Sequence, residues 1–148
     1  MKITPEELKA KLDAHKLWLE TRGTGEVKGE RLNLTDADLT DANLTGADLT
    51  RADLTRANLI RADLTGAKLT RANLTDANLT GADLTWANLT CAKLTGADLS
   101  DADLTDADLT RADLTISNAS PLVCDALAAV FSARMALLKT RKEWIAAE

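Results

Sequence analysis

The sequence predicts an all-β solenoid closed at both ends by α-helical segments. Three observations lead there: leucine recurs at every fifth residue from 34 to 114, at 17 of 17 positions; Ala stands two places earlier at 16 of 17, Leu32 being the exception; and Thr follows at 15 of 17, Ile60 and Ser100 departing. The residue between Ala and Leu is Asp, Asn or Lys, and the fifth letter varies most. Such self-similarity at a fixed period is the signature of a repeat architecture.

A period of five excludes the ordinary elements. In an α-helix, five steps of about 100° turn each Leu by about 140° from the last, so no stripe forms. In a continuous strand an odd period sends successive leucines to opposite faces. What fits is Ala-x-Leu as a short extended wall, both apolar side chains inward and x outward, followed by two residues that turn the chain. Corners of one hand wind a coil, and stacked coils about 4.8 Å apart pair their backbone donors and acceptors.

The flanks read as helices that cover the open ends, which a solenoid needs because a terminal coil has no neighbour. Thr4-Pro5-Glu6-Glu7 gives an N-cap, a Pro at the first helical position and a capping-box Glu, and Leu8, Leu12 and Leu19 follow at near-helical spacing to about Thr21. His15 falls on the same stripe and reads as a packing or surface residue without partners. Gly23-Thr24-Gly25 lacks a following Gly-Lys-Ser/Thr run, so it reads as a hinge rather than a phosphate loop. Beyond the repeats, Ser120-Pro121 opens a helical pattern reaching toward Glu148. Val123, Ala126, Val130, Ala133, Leu137 and Trp144 make one apolar stripe of it, and Leu127, Phe131, Met135, Leu138 and Ile145 make another. One seam can cover the solenoid; the second leads us to expect a homodimer through this helix. The organisation is 1–31 as N-terminal cap and connecting loop, 32–116 as solenoid, and 117–148 as C-terminal helix.

Composition narrows the function. The 148 residues are 45% hydrophobic but 3% aromatic, with one His and two Cys. That leaves little from which to build a metal site, a nucleophile with its base or a cofactor cradle, so a non-enzymatic protein without cofactor or metal is expected. The start lacks the apolar core of a signal peptide, and no charge-free stretch reaches a membrane span. Asp125, Arg134, Lys139, Arg141 and Lys142 interrupt the C-terminal pattern against membrane attachment. A cytoplasmic location is expected, with Cys91 and Cys124 as free thiols.

Ala-Asp-Leu-Thr-Asp, Ala-Asn-Leu-Thr-Gly and their variants resemble the pentapeptide-repeat proteins over 17 tandem units. The resemblance implies a right-handed quadrilateral β-helix with four repeats per coil, Leu and Ala inward, and therefore a little over four coils. Val27-Lys28-Gly29-Glu30-Arg31 would then be a degenerate repeat before the first regular one.

With four repeats per coil, residues twenty apart stack, and the sequence becomes a surface map. Asn43, Asp63, Asp83 and Asp103 make an acidic column, which is either solvated carboxylate bonded to nearby backbone or a surface read by a cationic partner. Arg51, Arg71, Cys91 and Arg111 make another, and with Asp48, Lys68, Asn88 and Asp108 it reads as a salt-bridged mixed face. Trp86 breaks the variable position, either as an outward anchor near Asp83 and Asp103 or lying across Gly66. The repeats carry seven basic and fourteen acidic side chains, which argues against direct binding of nucleic acid.

The leading expectation is a non-enzymatic interaction solenoid whose partner-binding candidates are Asp63, Asp83, Trp86 and Asp103. The alternative comes from the resemblance: some dimeric family members imitate duplex DNA and bind type II topoisomerases, so gyrase is the alternative partner. This chain has no loop inserted between repeats, and its basic columns dilute a phosphate-like field. Ice binding fits poorly, since Thr would form lines rather than an array, and the glycine-rich pattern of calcium-loaded coils is missing.

Overall fold

The backbone donors of a five-residue repeat find their acceptors within the repeat, in the preceding corner or in the adjacent coils, and this builds the solenoid. The computed structural model describes residues 2–114 together with the backbone of Asn118–Ala119. In the repeat that starts at Ala62, the Asp63 N–H donates back to the Ala42 carbonyl at 2.9 Å, while the Leu64 and Gly66 N–H groups donate forward to Asp83 and Thr85 carbonyls at 2.7 and 2.8 Å. The Ala62 N–H closes a turn on the Leu59 carbonyl at 3.0 Å, and the Thr65 N–H donates to Asp63 Oδ1 at 3.0 Å. No N–H of that repeat is orphaned.

Parallel bridges join residues twenty apart, for example Asn43 to Asp63 to Asp83 to Asp103, and Asp48 to Lys68 to Asn88 to Asp108. The circuit is therefore twenty residues, as the column map requires. Walls this short leave almost no regular strand: β1 (Asp98–Leu99) pairs in parallel with β2 (Asn118–Ala119), and the other contacts are single bridges.

Every described corner uses the same backbone device. The variable residue lies in the left-handed region at each position from Asp36 to Arg111, with φ between 53° and 71°, and twelve of these residues are not glycine. The preceding Thr has no positive φ, and the Ala N–H bonds the Leu carbonyl three residues back, which together describe a type II turn. Asp, Arg, Gly, Trp and Cys fill the corner. Among the described corners, 36 to 111, no β-branched residue or Pro does, in keeping with the steric limits of that region.

The bore is lined as expected. The repeat leucines from Leu34 to Leu109 are buried, with the alanines from Ala52 to Ala102 beside them, while Ala37, Ala42, Ala47 and Ala107 are partly buried toward the two ends.

The N-terminal helix, α1 (Pro5–Thr21), carries the full capping box: the Glu7 N–H donates to Thr4 Oγ1 at 3.2 Å and the Thr4 N–H to Glu7 Oε2 at 2.9 Å. Leu8 is buried in the solenoid core, with Ile3 and Leu12 packed on it. One contact has no counterpart in the sequence reading. Lys2 bridges Asp38, and the Ile3 N–H donates to the Asp38 carbonyl at 3.2 Å, so the residues before α1 add a rung to the first coil.

One expectation about the connecting loop is refined and one is corrected. Gly23 and Gly25 lack a positive φ, and a side chain at either would meet open space, so the path of the loop does not require glycine at either position. The glycine the path depends on is Gly29, at φ +72°, where a Cβ would collide with the Ala14 carbonyl oxygen and lie 2.9 Å from the Trp18 nitrogen. Val27 to Arg31 is also not a degenerate repeat. Val27 is 55% exposed where a repeat would bury it, and the Glu30 N–H bonds the Ala14 carbonyl of α1 rather than a coil. The helix expected after Pro121, the dimer candidates Leu127, Phe131, Met135, Leu138 and Ile145, and Cys124 lie outside the described residues.

Gly29→Ala is expected to lower unfolding free energy by about 2 kcal/mol or more, from left-handed strain plus the collision. Gly23→Ala should stay within about 0.5 kcal/mol of the parent. Urea titration of the two variants checks this, and equal effects would remove the assigned role of Gly29.

Candidate functional site

The outer surface is organised by the residue between Ala and Leu. At every Asp or Asn in that position from 33 to 108, Oδ1 accepts the N–H of the residue two places on, at 2.8–3.3 Å. These are Asx turns, and they satisfy the one N–H of the repeat that no backbone carbonyl accepts.

Asp63, Asp83 and Asp103 take part in this way and stack in one column, as the map placed them. The Thr65 N–H and hydroxyl hold the Asp63 carboxyl below the usual carboxylate range, and the Thr105 hydroxyl and N–H do the same for Asp103. Backbone bonding thus accounts for an acidic column without a ligand.

Trp86 occupies the neighbouring corner column, with Gly46, Gly66 and Asp106, and is 65% exposed. A Cβ added at Gly66 would meet nothing within 4 Å, so the indole does not lie across that glycine. Among the described residues, Leu17 and Val27 are the other exposed large apolar side chains, and both lie outside the repeats.

The mixed face around position 51 is salt-bridged only in part. Lys68 Nζ approaches Asp48 Oδ2 at 3.7 Å, but among the described residues Arg51, Arg71 and Arg111 make no salt bridge. The paired arginines are elsewhere. Arg56 makes two hydrogen bonds of 2.7 Å to Asp36, and Arg61 two of 2.8 and 3.0 Å to Asp41, each across one coil. Counting in twenties along the variable letter would have found both pairs. Cys91 is a free thiol, partly buried at its corner.

His15 has the partners that the sequence reading denied it. It is fully buried; Nδ1 accepts the Leu32 N–H at 3.0 Å and Nε2 donates to the Thr50 carbonyl at 3.1 Å, which assigns the neutral ring with its proton on Nε2. Burial pushes its pKa below the ordinary histidine value, against the opposing pull of the Thr50 carbonyl and Asp48. Trp18 stacks on it, ring centroids 5.6 Å apart, and the Arg22 guanidinium carbon lies 5.7 Å from the Trp18 centroid. The helical stripe left His15 as a packing or surface residue, and its sequence neighbourhood carries no sign of backbone partners 17 and 35 residues away. Among the described residues, no group of three His, Cys, Asp or Glu is placed to hold a metal, and no helix is long and apolar enough to cross a membrane.

A circuit of twenty residues with four left-handed corners and an Ala-Asp/Asn-Leu wall agrees with the family comparison, in which pentapeptide repeats match residues 33–71, 67–106 and 83–118. The chain belongs to the pentapeptide-repeat family. Pentapeptide-repeat proteins form right-handed quadrilateral β-helices and are generally structural or interaction proteins rather than enzymes.

Among solved structures, the chain is similar to the pentapeptide-repeat protein Rfr23 of the cyanobacterium Cyanothece 51142, at 36% identity and a TM-score of 0.56, covering 62% of this chain and 59% of that one. It is also similar to a pentapeptide-repeat protein of the Arabidopsis thaliana thylakoid lumen, at 38% identity and a TM-score of 0.52, covering 56% and 57%. The matched region thus spans under three fifths of the length of each relative. QnrB1, a plasmid-mediated fluoroquinolone resistance protein, matches at 17% identity and a TM-score of 0.35, over 55% of each chain, too distant to speak to partners. No curated protein sequence matches the chain.

The His15 geometry fixes a pH dependence for this pentapeptide-repeat protein. Because its folded pKa lies below the unfolded value of 6.5, the unfolded chain binds the proton more readily. The stabilisation is therefore complete above that value and is lost as pH falls below it. A proton on Nδ1 also opposes the Leu32 N–H. Thermal midpoints of the parent protein should fall between about pH 7 and pH 5, and His15→Gln should flatten that slope; an unchanged slope in the variant would contradict the assignment.

Proposed function

We propose that this protein is a non-enzymatic interaction solenoid, a rod of stacked coils from 32 to 116 capped by 1–31 and 117–148, that presents the Trp86 corner to a protein partner. The observation that carries the reading is the exposure of Trp86, 65%, on a rod whose repeat leucines from Leu34 to Leu109 are all buried and whose Ile60 is half-buried. Exposed Trp is enriched at interaction hot spots, where one rigid ring supplies contact area at small entropic cost. The adjacent column of Asp63, Asp83 and Asp103 supplies a carboxylate rim, which favours a partner surface carrying Lys or Arg around an apolar pocket.

Both test substitutions are compatible with the coil. Gly occupies the Trp86 column at 46 and 66, and Lys occupies the position equivalent to Asp83 at 68 and 93. In affinity capture with the parent protein, Trp86→Ala and Asp83→Lys, a partner of this corner should be lost with both variants while coil stability is retained. A partner captured equally by all three would place the working surface elsewhere.

The two apolar stripes in the sequence of 121–148 support a homodimer as the second part of the proposal. Sedimentation equilibrium of the full chain should give twice 15.8 kDa. A mass of one chain at all concentrations removes the dimer.

A further inference from the structure

The corner column at 51 and 71 differs from those that carry paired arginines. Where Arg56 and Arg61 each stand one coil above an Asp and bond it through two nitrogens, Arg51 and Arg71 stand one above the other. The Arg51 N–H donates to the Thr70 carbonyl at 2.9 Å, so these residues occupy consecutive coils, about 4.8 Å apart along the stack. Neither side chain makes a hydrogen bond or salt bridge among the described residues, and the same holds for Lys93 on the adjoining wall.

These three cations line a groove of ≈ 420 Å³ together with Trp18, Arg31 and Asn73. Its lining holds four cationic side chains and no carboxylate, on a solenoid whose repeats carry twice as many acids as bases, fourteen against seven. Arg31 is tied to Asp53 through one nitrogen at 3.2 Å. Like charges stacked at this spacing repel, and the stack becomes favourable when one multivalent anion lies across it.

We propose that this groove binds a compact polyphosphate anion, its phosphates laid across Arg51, Arg71 and Lys93. Compactness follows from the wall column that runs Asp53, Asn73, Lys93, Asp113: carboxylates stand at both ends of the basic stretch, so a long polyanion would run onto like charge. Recognition is of phosphate rather than a base, because the Trp18 ring already stacks on His15 and lies under Arg22. The groove lies on a different corner from Trp86, so this site stands or falls independently of the partner surface.

Calorimetric titration of the full chain with inorganic tripolyphosphate at about 0.1 M salt tests it. Saturable binding is expected, weakened about tenfold or more by Arg51→Gln with Arg71→Gln and unchanged by Arg56→Gln, which removes a paired arginine on another corner. A nucleoside triphosphate in a parallel arm checks the recognised group: equal or weaker affinity supports recognition of the phosphate chain alone, and tighter binding of the nucleotide would overturn it. Thermal midpoints without anion provide the folding control, since the Gln variants should melt no lower than the parent once like-charge repulsion is relieved. If the double variant unfolds, Arg71→Gln, at the exposed position, carries the comparison. The absence of saturable binding, affinity untouched by the Arg substitutions, or preference for an acidic peptide over tripolyphosphate would each overturn the proposal.

Discussion

The structure depends on one local constraint: a wall of three residues must turn a corner without leaving a backbone N–H unpaired. The solution couples two devices. The carboxylate or amide oxygen between Ala and Leu takes the Thr N–H, and the following residue enters the left-handed region so that the next Ala N–H can close on the Leu carbonyl. A left-handed non-glycine residue costs about 1 kcal/mol or more. At nine of the twelve such corners that cost is borne because the same residue donates its N–H to the next coil, as Arg51 does to Thr70 and Trp86 to Thr105. An unpaired buried N–H costs about 1–3 kcal/mol, so the corner conformation is the cheaper alternative.

This constraint sorts the five letters by how much freedom each has. Leu fills the bore and Ala sits beside it, so neither can vary without a void or a clash. The letter between them presents an oxygen to the N–H two residues on at every described position from 33 to 108 except Lys68 and Lys93. Only the corner residue is released from interior duty, provided it tolerates a positive φ. Chemistry directed outward therefore collects at the corners: the bidentate pairs of Arg56 and Arg61, the exposed ring of Trp86, and the stacked Arg51 and Arg71. In such a rod, charge pairing across coils is decided by the letter twenty residues away rather than by any neighbour in sequence.

Much of this is legible in the sequence. The five-residue period led to inward Leu and Ala, and four repeats per coil placed Asp63, Asp83 and Asp103 in one column; the α1 capping box was written in Thr4 and Glu7. What escaped detection has a common physical cause: it depends on contacts between segments that share no period. His15 bonds Leu32 and Thr50, Lys2 pairs with Asp38, and Gly29 must clear the backbone of α1 at Ala14 and Trp18. None of these pairs lies at a spacing that a repeat or helix pattern marks. The corner strain was hidden for a different reason, because Arg, Asp and Trp do not advertise a positive φ as glycine does.

The two lysines that replace Asp or Asn in the wall sharpen the relation between folding and surface chemistry. At Lys68 and Lys93 there is no side-chain oxygen for the N–H of Thr70 or Thr95, so each of these positions gives up the bond that all the neighbouring repeats make. The hydroxyls of Thr70 and Thr95 turn instead to the next coil, donating to Asn88 Oδ1 at 3.1 Å and Asp113 Oδ2 at 3.0 Å, which ties the weakened corner to its neighbour. A single departure is thus absorbed by the stack, and the surface gains a cation where the pattern would place an acid or an amide. Lys68 spends that charge on Asp48. Among the described residues Lys93 makes no salt bridge, and it lies with Arg71 along the basic groove.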